Sequence, residues 1–557
     1  MTEHVDVLII GAGLSGVGAA RHIQAAFPGK TYTILEARDV IGGTWDLFRY
    51  PGVRSDSDMH TLGYRFRPWT DPKAIADGPA ILGYVRDTAA EGGVDKHVRF
   101  SHRVTSAAWS SGTARWTVHA VHGTEPVTLT CNFLLSCSGY YRYDDGYLPD
   151  FPGIGDYRGV LVHPQRWPAD LDYAGKRVVV VGSGATAVTL VPALAQTAGH
   201  VTMLQRSPSY ILTLPAEDPI ATRLRSMLGE RRGSAVTRWK NVLAQGLIYR
   251  LSRRRPDMMR RWIRKLTIRQ LPDGYDVDTH FKPEYNPWDQ RLCLVPDGDL
   301  FRAISDGRAS VITDKIATFT EHGIRLESGD ELAADIVVTA TGLRLLALGG
   351  VELTVDDRVI RLPETMAYKG MMLSDVPNFA FTIGYTNASW TLKADLVSEF
   401  TCRLLKHMDA RGYDSCVPVN DDPAVTERPL LDFSAGYVLR SIDQFPKAGS
   451  RPPWRLGMSY LHDMMTLRYR RINDGSMRFS RRQPAAVAPV RVDSKNNLKY
   501  DTAERQRLRV SCHCLRNERE SQRTSPTPRT PRNIPPEALG IYQADLLTFA
   551  VITCIQP

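Results

Sequence analysis

Two short glycine patterns offer the first chemistry in this sequence. Gly11-Ala12-Gly13-Leu14-Ser15-Gly16 follows an apolar run at 5–10 and opens a stretch that reads as a helix. A lone GxGxxG is weak, but here an acid, Glu36, closes the next strand-like run 20 residues after Gly16. A dinucleotide-binding turn needs that context. Gly11 permits the tight turn, Gly13 lets backbone approach a pyrophosphate, Gly16 lets helix pack on strand, and Glu36 accepts from ribose hydroxyls. The helix start, which includes Ser15, adds unpaired N–H groups that favour an anion. The second pattern is Gly182-Ser183-Gly184-Ala185-Thr186-Ala187, again between an apolar run (177–181) and a helix, with Ala187 in the third glycine position. The strand after it ends in Gln205-Arg206-Ser207, without an acid. An acid there repels a 2′-phosphate, whereas Arg206 pairs with one, so this turn is expected to prefer NADP(H).

Two dinucleotide turns in one chain imply a flavin enzyme reduced by a nicotinamide, FAD on the first turn and NADPH on the second. Dithiol chemistry is disfavoured. Cys131 and Cys137 read as core, and Cys512-His513-Cys514 lies in a polar tail with no two further ligands for a metal. No metal site is expected.

Between the two turns, Tyr157-Arg-Gly159-Val-Leu-Val-His163-Pro-Gln-Arg-Trp167-Pro168 has the spacing aromatic-x-Gly-x-x-x-His-x-x-x-Trp-Pro. This resembles the fingerprint of Baeyer–Villiger monooxygenases, within the class B flavin monooxygenases. Gly42-Gly43-Thr44-Trp45, Arg54-Ser55-Asp56 and Ala340-Thr341-Gly342 are similar to further motifs of that family. The runs Asp46-Leu47-Phe48-Arg49-Tyr50-Pro51-Gly52, Tyr285-Asn286-Pro287-Trp288-Asp289-Gln290-Arg291 and Tyr385-Thr386-Asn387-Ala388-Ser389-Trp390-Thr391-Leu392-Lys393 resemble its thioamide-oxygenating members. The resemblance spans about residues 1–484.

The resemblance implies that NADPH reduces FAD and O2 adds to the reduced ring. One oxygen atom then enters a ketone, giving an ester or lactone, or the sulfur of a thioether or thioamide. It makes Arg291 the cation that stabilises the oxygen adduct and Asp56 the acid that holds it, because a permanently charged planar donor suits an anion in a dry site. It places Thr44, Trp45, Asp46, Leu47, Arg54, Ser55, Asp56 and Val104 among the FAD contacts. His163 and Trp167, with Tyr157, Gly159 and Pro168, become a linker that supports domain movement rather than chemistry. Many relatives carry Lys before the catalytic Arg; here Gln290 stands there, which puts more of the 2′-phosphate binding on Arg206 and Ser207. Three alternatives stay open: an uncoupled NADPH oxidase, an N-hydroxylating relative, and a nucleotide-binding protein without turnover.

The elements that must position these residues follow from patterning. The expected fold class is α/β, with two Rossmann-like dinucleotide-binding domains (FAD and NADP) and a helical insertion. The expected division is 1–145 for the first part of the FAD domain and 146–365 for the NADP domain, with the insertion at about 215–285. Residues 366–484 complete the FAD domain, and a Pro-rich, charged tail at 485–557 is expected to be disordered. Short alternating segments at 98–138 predict an antiparallel excursion, and residues 388–408 read as one amphipathic helix whose start is free to aim its dipole at the flavin. The chain is 557 residues long, with 43% hydrophobic residues and 23% charged, which excludes disorder throughout. Eight cysteines do not make a disulfide framework. The net charge of +10 is spread over the tail and a cluster at 250–269, which is weak evidence for nucleic acid. Met258, Met259, Trp262, Ile263 and Leu266 stand at helical spacing among Arg260, Arg261, Arg264 and Lys265. That pattern suits a core-packed helix better than an interfacial one, and leaves peripheral membrane contact as an alternative. With no secretory signal or membrane span in view, a cytoplasmic enzyme is expected. Its partners are O2 and a small ketone or organosulfur substrate.

Overall fold

The computed structural model describes residues 2–290, 292–431 and 433–482. Two sheets organise them. The first holds nine strands. Its parallel centre is β1 (Glu3–Ile10), β2 (Tyr32–Leu35), β3 (Val98–Arg99) and the second half of β6 (Glu125–Ser136). β2 and the second half of β1 are buried on both faces, which explains the apolar run that ends β1. β4 (His102–Ser110) and β5 (Arg115–His122) extend the sheet antiparallel through the first half of β6. They alternate buried and exposed residues as one-sided strands do, and they are the predicted antiparallel excursion.

The second sheet is wholly parallel. Its spatial order is β10 (Ala309–Thr313), β9 (His200–Gln205), β8 (Arg177–Val181), β11 (Ile336–Thr339) and β7 (Val160–Val162). The chain then returns to the first sheet. β12 (Glu352–Val355) pairs parallel with β4, β13 (Arg358–Val359) folds back on β12, and β14 (Phe379–Phe381) pairs parallel with β6. The second nucleotide fold is therefore inserted within the first.

In each sheet the register sets a glycine turn at the carboxyl ends of the strands. Ile10 is level with Leu35 and Ser136, so α1 (Leu14–Ala26) starts beside Glu36 and Cys137. Val181 is level with Leu204 and Thr339, so α2 (Ala185–Leu194) starts beside Arg206 and Ala340. Ligands of open α/β sheets bind at this end.

The insertion is helical. α3 (Pro219–Arg254) starts with the Asp218 carboxylate accepting from Ala221 N–H and with Pro219 at its first position. It is broken at Gly229 (φ 75°) and stops where Pro256 opens α4 (Pro256–Ile268). In α4 the expected inward packing holds for Met259 and Ile263, which are buried, and Trp262 and Leu266 pack against the cluster of Tyr210, Leu212 and Leu292. Met258 alone of that group is exposed. The predicted helix at 388–408 is α5 (Trp390–Arg411), ended by Gly412 in the left-handed region (φ 63°). Among the described residues no helix is long and apolar enough to cross a membrane. The tail, with Cys512-His513-Cys514, lies outside the described residues.

Candidate active site

A cavity of ≈ 950 Å³ runs between the two sheets and reaches both glycine turns. The first turn is shaped by backbone contacts. Gly11 has φ 97°, and a Cβ there would lie 2.8 Å from the Cys137 carbonyl oxygen. A Cβ on Gly16 would lie 1.9 Å from the Gly11 carbonyl oxygen, so Gly16 closes helix on strand and does not line the cavity. Gly11, Gly13 and Ser15 do line it. Glu36 is buried at its wall, where Ala12 N–H donates to Oε2 at 2.6 Å and Arg38 N–H to Oε1 at 2.9 Å. Burial pushes this carboxyl above the usual carboxylate range, against the pull of those donors.

Thr44 and Trp45 line the cavity, as do Arg54, Ser55, Asp56 and Val104. Arg54 donates from Nη2 to Asp299 at 3.3 Å, while its Nε and the Ser55 hydroxyl are buried without a hydrogen-bond partner. Unspent polar atoms in a cavity wall fit a polar ligand. Asp46 and Leu47 stand outside the wall. The Asp46 carboxylate is buried and gathers three guanidinium groups, those of Arg38, Arg49 and Arg86. It anchors Arg38, which donates from Nη1 to the Gly43 carbonyl at 3.1 Å. Asp46, expected among the FAD contacts, stands behind Arg38 here, and Arg38, two places after Glu36, lines the cavity.

The second turn repeats the design. Gly182 has φ 138°, and a Cβ would lie 2.5 Å from the Ala340 carbonyl oxygen. A Cβ on Gly184 would meet nothing within 4 Å, which leaves open space for a pyrophosphate. Ser183, Ala185 and Thr186 line the cavity, whereas Ala187 is fully buried in the core beneath α2. Arg206 and Ser207 line the far end, with Arg206 exposed and free of ion pairs among the described residues. Lys315 joins them there, because β9 and β10 run side by side and Asp314 N–H donates to the Gln205 carbonyl at 3.0 Å. Its ammonium lies 3.2 Å from Glu327. Nothing in the local sequence at 315 signals this position.

The two turns are tied together by the segment at 48–55. A Cβ on Gly52 would touch the Thr189 carbonyl of α2 at 2.8 Å, and Tyr50 hydrogen-bonds Thr186. Burial pushes the Tyr50 phenol up to about 12, so it stays protonated.

None of the fingerprint residues lines the cavity. His163 follows β7, behind the Ala340-Thr341-Gly342 turn. Its Nδ1 accepts from Gln165 N–H at 3.2 Å, and Nε2 lies 3.3 Å from the Gly342 carbonyl. This neutral tautomer suits burial, which lowers the imidazole below its usual range. Tyr157 donates to the Ala334 carbonyl at 3.1 Å, and Gly159 leaves room for the Tyr157 ring. Trp167 packs edge-on to Tyr173, and the Pro168 carbonyl accepts from Leu171 N–H at 3.4 Å.

At the end of the cavity by the first glycine turn, α5 enters the wall through its first residue, Trp390, with Ala388 just before it. Trp390 donates to Ser15 Oγ at 2.7 Å and stacks on Tyr140 at 5.2 Å. Tyr385 also lines the cavity and donates its hydroxyl to Asp463 at 2.8 Å; Lys393 donates to the same oxygen at 2.8 Å. Gln290 lines the cavity, and Arg291 lies outside the described residues. Cys137 is at the wall, with burial pushing its thiol up to about 12; Cys131 is buried in the sheet and pushed up as well. Neither is a nucleophile at neutral pH. Among the described residues no cluster of His, Cys, Asp and Glu is arranged to hold a metal.

Known proteins resemble this chain in sequence and in fold. Residues 70–348 match the model of the flavin-binding monooxygenase-like family, and residues 9–70 that of an NAD(P)-binding Rossmann-like domain. The FAD-containing monooxygenase EthA of Mycobacterium tuberculosis is 59% identical over 489 residues, which is 87% of this chain and 100% of the relative. The solved structure of an oxidized steroid monooxygenase bound to NADP is 22% identical with a TM-score of 0.69, covering 86% of this chain and 100% of the other. The crystal structure of OTEMO in complex with FAD and NADP is 23% identical with a TM-score of 0.63, covering 75% and 88%.

Proposed function

The chain belongs to the flavin-binding monooxygenase family, and we propose that it inserts one oxygen atom from O2 into ketones and into the sulfur of thioethers and thioamides. It is an FAD-dependent, NADPH-consuming enzyme. The observation that carries the two-cofactor reading is the continuity of the cavity, and the substrate classes follow from the resemblance to monooxygenases of this family. One space joins the two glycine turns and reaches Asp56 and Gln290, the neighbour of Arg291.

When bound, FAD reduced by NADPH supplies the activation of O2. The chain's own residues do the rest. Gly11, Gly13 and the start of α1 would hold the FAD pyrophosphate, and Glu36 would accept from its ribose. Thr44, Trp45, Arg54, Ser55 and Val104 would line the flavin. The start of α5 at Trp390 would present its unpaired N–H groups to electron-rich atoms of the ring. Gly182, Gly184 and the start of α2 would hold the NADPH pyrophosphate, with Arg206, Ser207 and Lys315 toward the 2′-phosphate. Arg291 would place a fixed positive charge where negative charge develops on oxygen, and Asp56 would hold that guanidinium in position. Donors preorganised in this way are worth about 3–4 kcal/mol each in comparable sites. His163 would keep the linker against the Gly342 turn.

The test supplies labelled O2 and a panel of ketones, thioethers and thioamides. One labelled atom is expected in the ester or the oxidised sulfur product, with NADPH consumed in step. Arg291→Ala is expected to abolish product while flavin reduction by NADPH persists. NADPH consumption yielding only peroxide across the whole panel would overturn the reading.

A further inference from the structure

The helical insertion carries a charge and a surface that the cavity does not use. Between Pro219 and Ile268 stand fourteen Lys and Arg against two acids, a balance of +12 where the whole chain carries +10. Eleven of the cations divide into two sets. Lys240 donates to Asp218 at 2.7 Å, Arg264 to Asp278 at 2.8 Å, and Arg238 and Arg253 face Asp395 and Asp289. Arg231, Arg232, Arg250, Arg254, Arg255, Arg261 and Lys265 are exposed and have no acidic partner among the described residues.

The second half of α3 is two-faced. Its inner face is fixed to the first nucleotide fold. Asn241 and Gln245 donate to Asp58 at 2.8 and 2.5 Å, and Val242 is buried with Tyr385 and Leu392. Its outer face presents Val236, Trp239, Leu243, Leu247 and Leu251, each 37% to 54% exposed. Their spacing of three, four, four and four residues makes one continuous stripe along the helix. An apolar stripe bordered by unpaired cations matches one surface chemistry, an apolar layer beneath an anionic skin.

We propose that the outer face of α3 docks on an anionic lipid bilayer, with the stripe at the acyl boundary and the unpaired cations among the headgroups. A second copy of the chain is a poor occupant, since a two-fold contact would bring the same positive field against itself. A nucleic acid would satisfy the cations and leave the leucines in water. The proposal stands apart from the reading of the cavity.

The experiment uses the full-length, flavin-loaded protein in vesicle co-sedimentation. One set of vesicles is pure phosphatidylcholine, the other an equal mixture with phosphatidylglycerol, each at low and high salt. Sedimentation with the anionic vesicles alone is expected, weakened by salt. Leu243→Ser with Leu247→Ser is expected to abolish it. Arg254→Gln with Arg255→Gln and Arg261→Gln is expected to lower the partition coefficient about a hundredfold, at about fivefold per cation. Flavin content and the melting transition, measured on each variant, separate lost docking from lost folding. Three results overturn the proposal: no binding to anionic vesicles, binding that survives the leucine variant in folded protein, or a solution dimer that the leucine variant dissolves.

Discussion

Lys393 and Asp463 lie almost wholly out of water and share a hydrogen bond, with Tyr385 donating to the same carboxylate oxygen. A buried pair adds little net stability, but removing one partner strands the other charge. Lys393→Met should therefore destabilise the fold by about 3–5 kcal/mol, measured as a lowered denaturant midpoint. Tyr385→Phe should cost less, because Lys393 still serves the acid. An unchanged midpoint for Lys393→Met would mean that Asp463 finds another partner. At this scale the sequence was legible where a role is local. Gly11, Gly13 and Glu36 stand at the cavity wall, where their spacing puts them. The fate of Asp46 was not legible, because its three partners come from positions 38, 49 and 86 and meet only in the fold. The placement of Lys315 beside Arg206 likewise depends on two strands being neighbours.

The elements were legible wherever one segment carries its own signal. The runs at 177–181 and 388–408, and the alternation at 98–138, became strand, helix and antiparallel sheet. The glycine turns are the most demanding of these elements. Gly11→Ala would place a side chain at φ 97° and 2.8 Å from a carbonyl oxygen. The expected outcome is a backbone strained by roughly 1–3 kcal/mol and a protein purified with far less yellow flavin, read from its visible absorbance. Full flavin content in this variant would contradict the turn's assigned role. The insertion shows the opposite limit of sequence reading. Helical spacing at 258–266 marks α4 as amphipathic, yet the exposed apolar face lies on α3. Which face of a helix meets water is decided by its packing partners, and periodicity does not reveal them.

For the molecule as a whole, imidazoles drawn partly out of water set a pH limit. His60, His163 and His280 all have pKa values lowered by burial. The unfolded chain then takes up protons before the folded one does. Their contribution is complete above the unfolded value of about 6.5 and is lost as pH falls below it. The melting temperature should decline between neutral pH and mild acid, and His163→Asn should flatten part of that decline. A flat profile in the parent protein would show that these rings are solvated.

The return of the chain to its first sheet also bears on how such a protein can be rebuilt or inherited. β12, β13 and β14 complete a sheet begun more than two hundred residues earlier. A single genetic crossover between two relatives, placed anywhere between β6 and β12, would assemble that sheet from two parents with side chains never selected to mesh. Exchange of the nicotinamide half as a cassette needs two junctions, one on each side of the inserted fold. Chimeras of this architecture should survive in pairs of breakpoints and fail at lone ones.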